Sequence, residues 1–211
     1  MVKITDLQPQ KHDPQRFNVY LDGEFGFGIA RAVAPWLKVG LELTPTQIEE
    51  LQREDAGEKA YQRALHYLSY RERSEQEVRE NLEKHEVPPE IIEETLDRLR
   101  GQTLVNDRNF AETWVENRKA FHPRGKRALA VELRRKGVSR EVIDQALEDV
   151  DEYAMAKKVA AKKIRRLQNL DWPDFRKKLS GYLSRRGFNY SVCREIVQSS
   201  WEELEKREEP D

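Results

Sequence analysis

The chain has 211 residues, 37% hydrophobic and 36% charged, with 38 Lys/Arg against 39 Asp/Glu. That composition is lean for one large compact core and suits several small layers of amphipathic helix. The lone cysteine, Cys193, excludes an internal disulfide framework and implies a reducing setting. The N-terminus lacks the apolar stretch of a signal peptide, and no run approaches the roughly 18 apolar residues of a membrane span, so a cytoplasmic protein without membrane contact is expected.

The near-neutral total conceals a polarised chain. Residues 1–58 carry a net −4, 59–110 a net −2, 111–150 a net +2, 151–200 a net +7 and 201–211 a net −4. An acidic front, a basic back and an acidic tail suggest contact with a polyanion or an acidic partner.

The first elements are extended. In "RFNVYLDGEFGFGIA" two apolar-aromatic runs flank Asp22-Gly23, the preferred pair for a two-residue turn with both central residues at positive φ. Alternation predicts that Val19, Leu21, Phe25 and Phe27 share a face. "ITDL" before the hairpin and "LELT" after it add short strands. The glycines of "GEFGFG" fall inside a hairpin strand instead of between a strand and a helix, so they are not a phosphate loop. Thr44-Pro45 starts a helix, Thr as N-cap and Pro at the first helical position, which carries Ile48 and Leu51.

The rest of the chain repeats. "NLEKHEVPPEIIEETLDRL", "ELRRKGVSREVIDQALEDV" and "YLSRRGFNYSVCREIVQSS" align with a period near 50 residues. Val78, Leu129 and Leu179 correspond, as do Leu82, Leu133 and Leu183, then Val87, Val138 and Phe188. Such a period signals tandem supersecondary units, each reading as a helix followed by helix–turn–helix. In the first, Tyr61, Leu65 and Leu68 lead. Ser74–Glu77 forms a capping box before the middle helix, and Ile91, Ile92, Thr95, Leu96 and Leu99 make the buried stripe of the last helix. In the second, Asp107 caps a helix burying Phe110, Ala111, Trp114 and Val115, and Ser139 caps the last helix. In the third, Val159, Ile164 and Leu167 precede Phe175, Leu179, Tyr182 and Leu183, then Val192, Ile196 and Val197. Gly137 and Gly187 supply the left-handed residue after a middle helix. The first repeat has Glu86 there, so its turn must differ or carry strain.

Taken in order, "ALHYLSYRERSEQEVRENL" with "IIEETLDRL", "VNDRNFAETWVENR" with "PRGKRALAVELRRKGVSREVIDQAL", and "LSRRGFNYSVCREIV" resemble the RecX family, regulators of the bacterial recombinase RecA. "NVYLDGEFGFG" resembles the β front end of some members. The resemblance implies a mainly α protein. Three tandem three-helix, helix-turn-helix-like repeats would form an elongated curved array behind a small N-terminal unit containing a β-hairpin. It also implies binding to the RecA–DNA filament and modulation of strand exchange and co-protease activity. The expected organisation is a β unit with a trailing helix over 1–56, repeats over 57–104, 105–151 and 152–204, and an acidic tail over 205–211.

Candidate DNA-contacting residues come from the basic clusters. Arg118, Lys119, Arg124, Lys126 and Arg127 gather at a helix end and its loop. Arg134, Arg135 and Lys136 close the next helix, and Arg185 and Arg186 are their counterparts. In "AKKVAAKKIRR" Lys158, Lys162 and Arg165 or Arg166 share a face, so that a basic stripe backs the apolar one of Val159 and Ile164; Lys163 belongs to the same basic run, and Lys177 and Lys178 follow. Phosphates complement such stripes because each one neutralised releases counterions. Arg134–Lys136 and Arg185–Arg186 equally suit a helix C-terminus, where cations meet the dipole favourably; Arg118–Arg127 therefore have the better claim. The acid-rich last helices "EIIEETLDRL" and "EVIDQALEDV" favour backbone contact over base reading.

Catalysis finds no support. His12, His66, His85 and His122 have no metal-ligand spacing with Cys193, no phosphate-binding loop or nucleophile elbow occurs, and no cofactor is expected. Cys193 aligns with Ile92 and Ile143, a packing position. Trp172, in "NLDWPDF", is the tryptophan expected to be exposed. The expected partners are the RecA nucleoprotein filament and single- or double-stranded DNA, bound by a monomer. A helix-turn-helix transcription regulator is the alternative.

Overall fold

The computed structural model describes residues 1–208. Residues 209–211 of the expected acidic tail lie outside them, and its first residues, Glu205 and Lys206, are helical. In chain order the elements are β1 (Val2–Gln10), β2 (Asp13–Leu21), β3 (Glu24–Ala30) and β4 (Glu42–Leu43), followed by α1 (Pro45–Leu68), α2 (Glu75–Glu83), α3 (Pro89–Gly101), α4 (Asp107–Phe121), α5 (Lys126–Arg135), α6 (Arg140–Leu147), α7 (Glu152–Ile164), α8 (Trp172–Arg185) and α9 (Tyr190–Glu208). They form two compact bodies, Met1–Arg73 with Glu77–Val105, and Ser74–Gln76 with the chain from Asn106 onward.

The sheet of the first body is antiparallel, in the order β3-β2-β1-β4. Asp22 and Gly23 take positive φ (48° and 95°), as the two-residue turn requires. The expected shared face is corrected at one residue. Val19 pairs with Phe27, but Tyr20 pairs with Phe25, so the register shifts by one residue at Gly26. This bulge turns the remainder of β3 over. Val19 and Phe27 are buried while Phe25 is exposed, edge-on to Tyr20.

Thr44 caps α1 through a full capping box with Gln47, and Pro45 follows at the first helical position. The helix then runs unbroken for 24 residues, across the expected division at 56/57. Its first half packs Leu51 on the sheet beside Ile4, Val19, Ile29 and Leu43. Its second half gives Ala60, Tyr61 and Ala64 to the first repeat. Between them the buried Asp55 carboxylate accepts the backbone N–H of Ala30 and pairs with Arg16 and Lys59. Burial pushes this carboxyl up, but its three partners outweigh that and hold it below its ordinary range.

Period-matched residues occupy matched places. Val78, Leu129 and Leu179 are fully buried, as are Leu82, Leu133 and Leu183; Ile92, Ile143 and Cys193 are buried in turn. The middle helix of each repeat ends in the same hydrogen-bonded turn. Val87 N–H donates to the Leu82 carbonyl (3.2 Å), Val138 to Leu133 (3.2 Å) and Phe188 to Leu183 (3.4 Å), a Schellman pattern. Gly137 and Gly187 sit at φ 79° and 80°, and Glu86 adopts the same left-handed conformation at 58°. The turn is thus common to all three repeats, with its strain in the first.

In the second body the cores of α4–α6 and α7–α9 form one cluster. Backbone meets backbone there: Gly125 N–H donates to the Arg186 carbonyl at 2.9 Å. A Cβ on Gly125 would lie 2.2 Å from the Gly187 oxygen, and one on Gly187 would lie 2.4 Å from Ala128 Cβ. Side chains at either position would force this joint apart. Two local expectations change. Asn106, not Asp107, caps α4, accepting from the N–H groups of Arg108 and Asn109. Trp172 is half-buried against Trp201, and Trp36 is the exposed tryptophan.

Candidate nucleic-acid interface

The candidate cations separate by what they touch. On α5, Glu132 collects three donors. Its Oε2 accepts from Arg118 Nε (2.7 Å) and Trp114 Nε1 (3.0 Å), while Arg124 Nε lies 3.5 Å from Oε1. The Arg118 guanidinium also lies over the Trp114 ring. Lys119 pairs with Glu116, and Lys126 Nζ donates to the Glu148 carbonyl. Of the cluster Arg118–Arg127, Arg127 alone is exposed without an ion pair among the described residues. Arg134 and Arg135 stand exposed on the last turn of α5, and Lys136 leans over Trp114. Arg127, Arg134 and Arg135 are thus more exposed than Arg118 and Arg124, which Glu132 engages.

In the third repeat, Lys158 and Lys162 project from α7, with Lys158 Nζ also reaching the Lys119 and Ala120 carbonyls at the end of α4. Lys163 and Arg186 both lie over the Tyr182 ring, cation–π contacts that hold them without neutralising them. Arg165 and Arg166 are exposed just beyond α7, whose helical stripe ends at Ile164. On α8, Lys177 and Arg185 are exposed and Lys178 pairs with Asp174.

The acids of this repeat have local tasks. Asp151 caps α7 and Asp171 caps α8. Glu152 is buried: its Oε1 accepts the backbone N–H groups of Lys126 and Asn189 (3.1 Å each), and its Oε2 accepts Asn189 Nδ2 (2.8 Å). With Asp174 on Lys178, Glu195 is left as the one acid of residues 151–200 whose side chain has no cap, ion pair or hydrogen bond among the described residues, against twelve Lys/Arg in that span. Acids there are too few to balance the cations, and most of these cations have no ion pair among the described residues.

The structure also gathers cations that spacing does not single out. Arg176 and Arg194 join Arg127 and Lys177 around a groove of about 920 Å³ bordered by α8, α9 and the start of α5. Arg176 opens the run "RKKL", and Lys157 doubles Lys158, so local composition carried a signal for both. For Arg194, isolated in "SVCREIV", it carried none. Cys193 lines the same groove; burial, then the nearby Glu152, pushes its thiol up, so it brings no negative charge. Among the described residues, no group of His, Cys, Asp and Glu is arranged to hold a metal ion, and no helix is long and apolar enough to cross a membrane.

Comparison with known proteins follows the same divisions. Residues 2–44 match the model "Regulatory protein RecX N-terminal domain". Residues 60–99, 106–147 and 149–197 match the first, second and third RecX three-helix domains. The Bacillus pumilus protein named Regulatory protein RecX is 33% identical, over 99% of this chain and 82% of its own length. Its Bacillus subtilis namesake is 32% identical over 99% and 79%. A crystal structure of regulatory protein RecX superposes with a TM-score of 0.78 at 33% identity, covering 94% of this chain and all of that one. The RecX of Lactobacillus salivarius gives 0.65 at 26% identity, over 69% and 97%. With four domain models in sequence order and relatives matched over nearly its full length, the chain belongs to the RecX family of regulatory proteins.

Proposed function

We propose that this protein regulates RecA by binding along the RecA–DNA filament, contacting DNA phosphates through its second and third repeats and so modulating strand exchange and co-protease activity. It does so without catalysis, as a monomer in the cytoplasm. The observation that carries this reading is the excess of exposed cations on the third repeat, most of them without an ion pair among the described residues. Apart from Lys178, the exposed Lys and Arg of α7 and α8 present point charges and forks to a polyanion at no cost of breaking ion pairs among the described residues. Sequence reading by a helix in the major groove is disfavoured. The exposed positions of α3 and α6 include Glu93, Glu94, Glu141 and Asp144, which phosphates would repel.

The test is a variant with Lys162, Lys163, Arg165 and Arg166 all changed to Glu, titrated against DNA at several salt concentrations. Each phosphate contact contributes about 0.9 to the logarithmic salt slope. The variant is expected to bind more weakly and with a slope flatter by about 2–4. Unchanged binding by a folded variant would remove the end of α7 from the interface. A strong preference for one duplex sequence over scrambled DNA would favour a transcription regulator instead.

A further inference from the structure

The groove between α8 and α9 has a composition that a duplex does not need. Four cations approach it from three helices: Arg127 from α5, Arg176 and Lys177 from α8, and Arg194 from α9. All four are exposed, and no Asp or Glu lines the groove among the described residues. At its rim stands Tyr190, 79% exposed. Its ring packs against no other aromatic side chain among the described residues, and its hydroxyl has no hydrogen-bond partner there. A tyrosine so placed contributes nothing to the core of its own repeat. Ser180, Gly181 and Ser184 supply small residues along the α8 side, so an elongated ligand can lie close to that helix. The volume, about 920 Å³, is in the range of pockets that enclose a small organic ligand.

We propose that this groove is a binding site for single-stranded nucleic acid, the cations holding successive phosphates and Tyr190 stacking one base. A duplex offers phosphates but keeps its bases paired and inaccessible to a tyrosine face. A single strand offers both, and stacking on an aromatic ring is the contact that distinguishes it. The inference rests on the proposed DNA contact and narrows it to one strand type and one place.

The experiment measures binding of the full chain to three fluorescent probes of equal length: an oligothymidylate, its abasic counterpart and a duplex. The wild type is expected to prefer the oligothymidylate over the abasic strand by roughly tenfold, the order of one stacked base. Tyr190→Ala should erase that preference and leave affinity for the abasic strand unchanged, whereas Tyr190→Phe keeps it. Changing Arg127, Arg176 and Arg194 together to Gln should weaken both single strands alike and flatten the salt slope by about 2–3. A preference that survives Tyr190→Ala overturns the site while leaving phosphate contact elsewhere intact. Failure of the wild type to bind any probe at low salt overturns the DNA contact itself. Displacement of the oligothymidylate by polyglutamate, equally well from the wild type and Tyr190→Ala, would assign the groove to an acidic protein segment and overturn the single-strand assignment.

Discussion

Replacing Glu152 with Ala removes one buried carboxylate and orphans three donors. Two are backbone N–H groups at helix starts, Lys126 of α5 and Asn189 just before α9, and the third is the Asn189 side chain. Hydrogen bonds to a charged acceptor contribute about 1.5–3 kcal/mol each, but the three share one carboxylate and the opened site admits some water. A loss of about 3 kcal/mol is expected, near the upper range for point substitutions. Glu152→Gln keeps one acceptor oxygen and the volume and should lose about 1 kcal/mol. Trp114, Trp172 and Trp201 lie in the second body and Trp36 is exposed in the first, so tryptophan fluorescence in urea follows the body that matters. With an m-value of about 2 kcal/mol/M, the midpoint should fall by about 1.5 M for Ala and about 0.5 M for Gln. An Ala midpoint within about 0.3 M of wild type would refute the idea that Glu152 ties the two helix starts together. So would a Gln variant as unstable as the Ala variant.

Other substitutions separate structural cations and strained turns from the interface. Glu86→Gly should stabilise the first body by about 0.5–1 kcal/mol, the relief of a left-handed non-glycine residue less the entropy of a freer unfolded chain; thermal unfolding by circular dichroism reads it. Gly187→Ala should cost more than about 2 kcal/mol, since strain at φ 80° adds to a Cβ placed 2.4 Å from Ala128; calorimetry would show it as a lowered unfolding temperature. Arg118→Gln should cost about 1 kcal/mol through its half-buried pair with Glu132 and leave the DNA salt slope unchanged. Because the folded-state pKa of Asp55 is lowered, its contribution is present above the ordinary carboxylate pKa of about 4 and is lost as pH falls through the lowered value. In Asp55→Asn the acid limb of the stability–pH curve should therefore be shallower, as denaturant midpoints between about pH 2 and 5 would record.

The repeat architecture was legible because buried residues recur at a fixed interval: Leu82, Leu133 and Leu183 announce three equivalent middle helices, and Glu86 announces the strained turn. The Thr44-Pro45 start was legible because a cap is written within four residues. Contacts between segments were not. The bulge at Gly26 that exposes Phe25 depends on how β3 pairs with β2, and neither strand alone carries it. Arg118 and Arg124 look available until α4 and α5 bring them to Glu132. Glu152 serves donors 26 and 37 residues away, beyond any local capping pattern. Arg194 acquires meaning only when α5, α8 and α9 enclose a common groove.

Whether this chain acts on the RecA–DNA filament is decided by co-sedimentation with preformed RecA filaments, beside bare DNA and RecA alone. The protein should pellet with the filament at concentrations where it pellets with neither component separately. Absence from the filament pellet, or recovery no greater than with bare DNA, would contradict it.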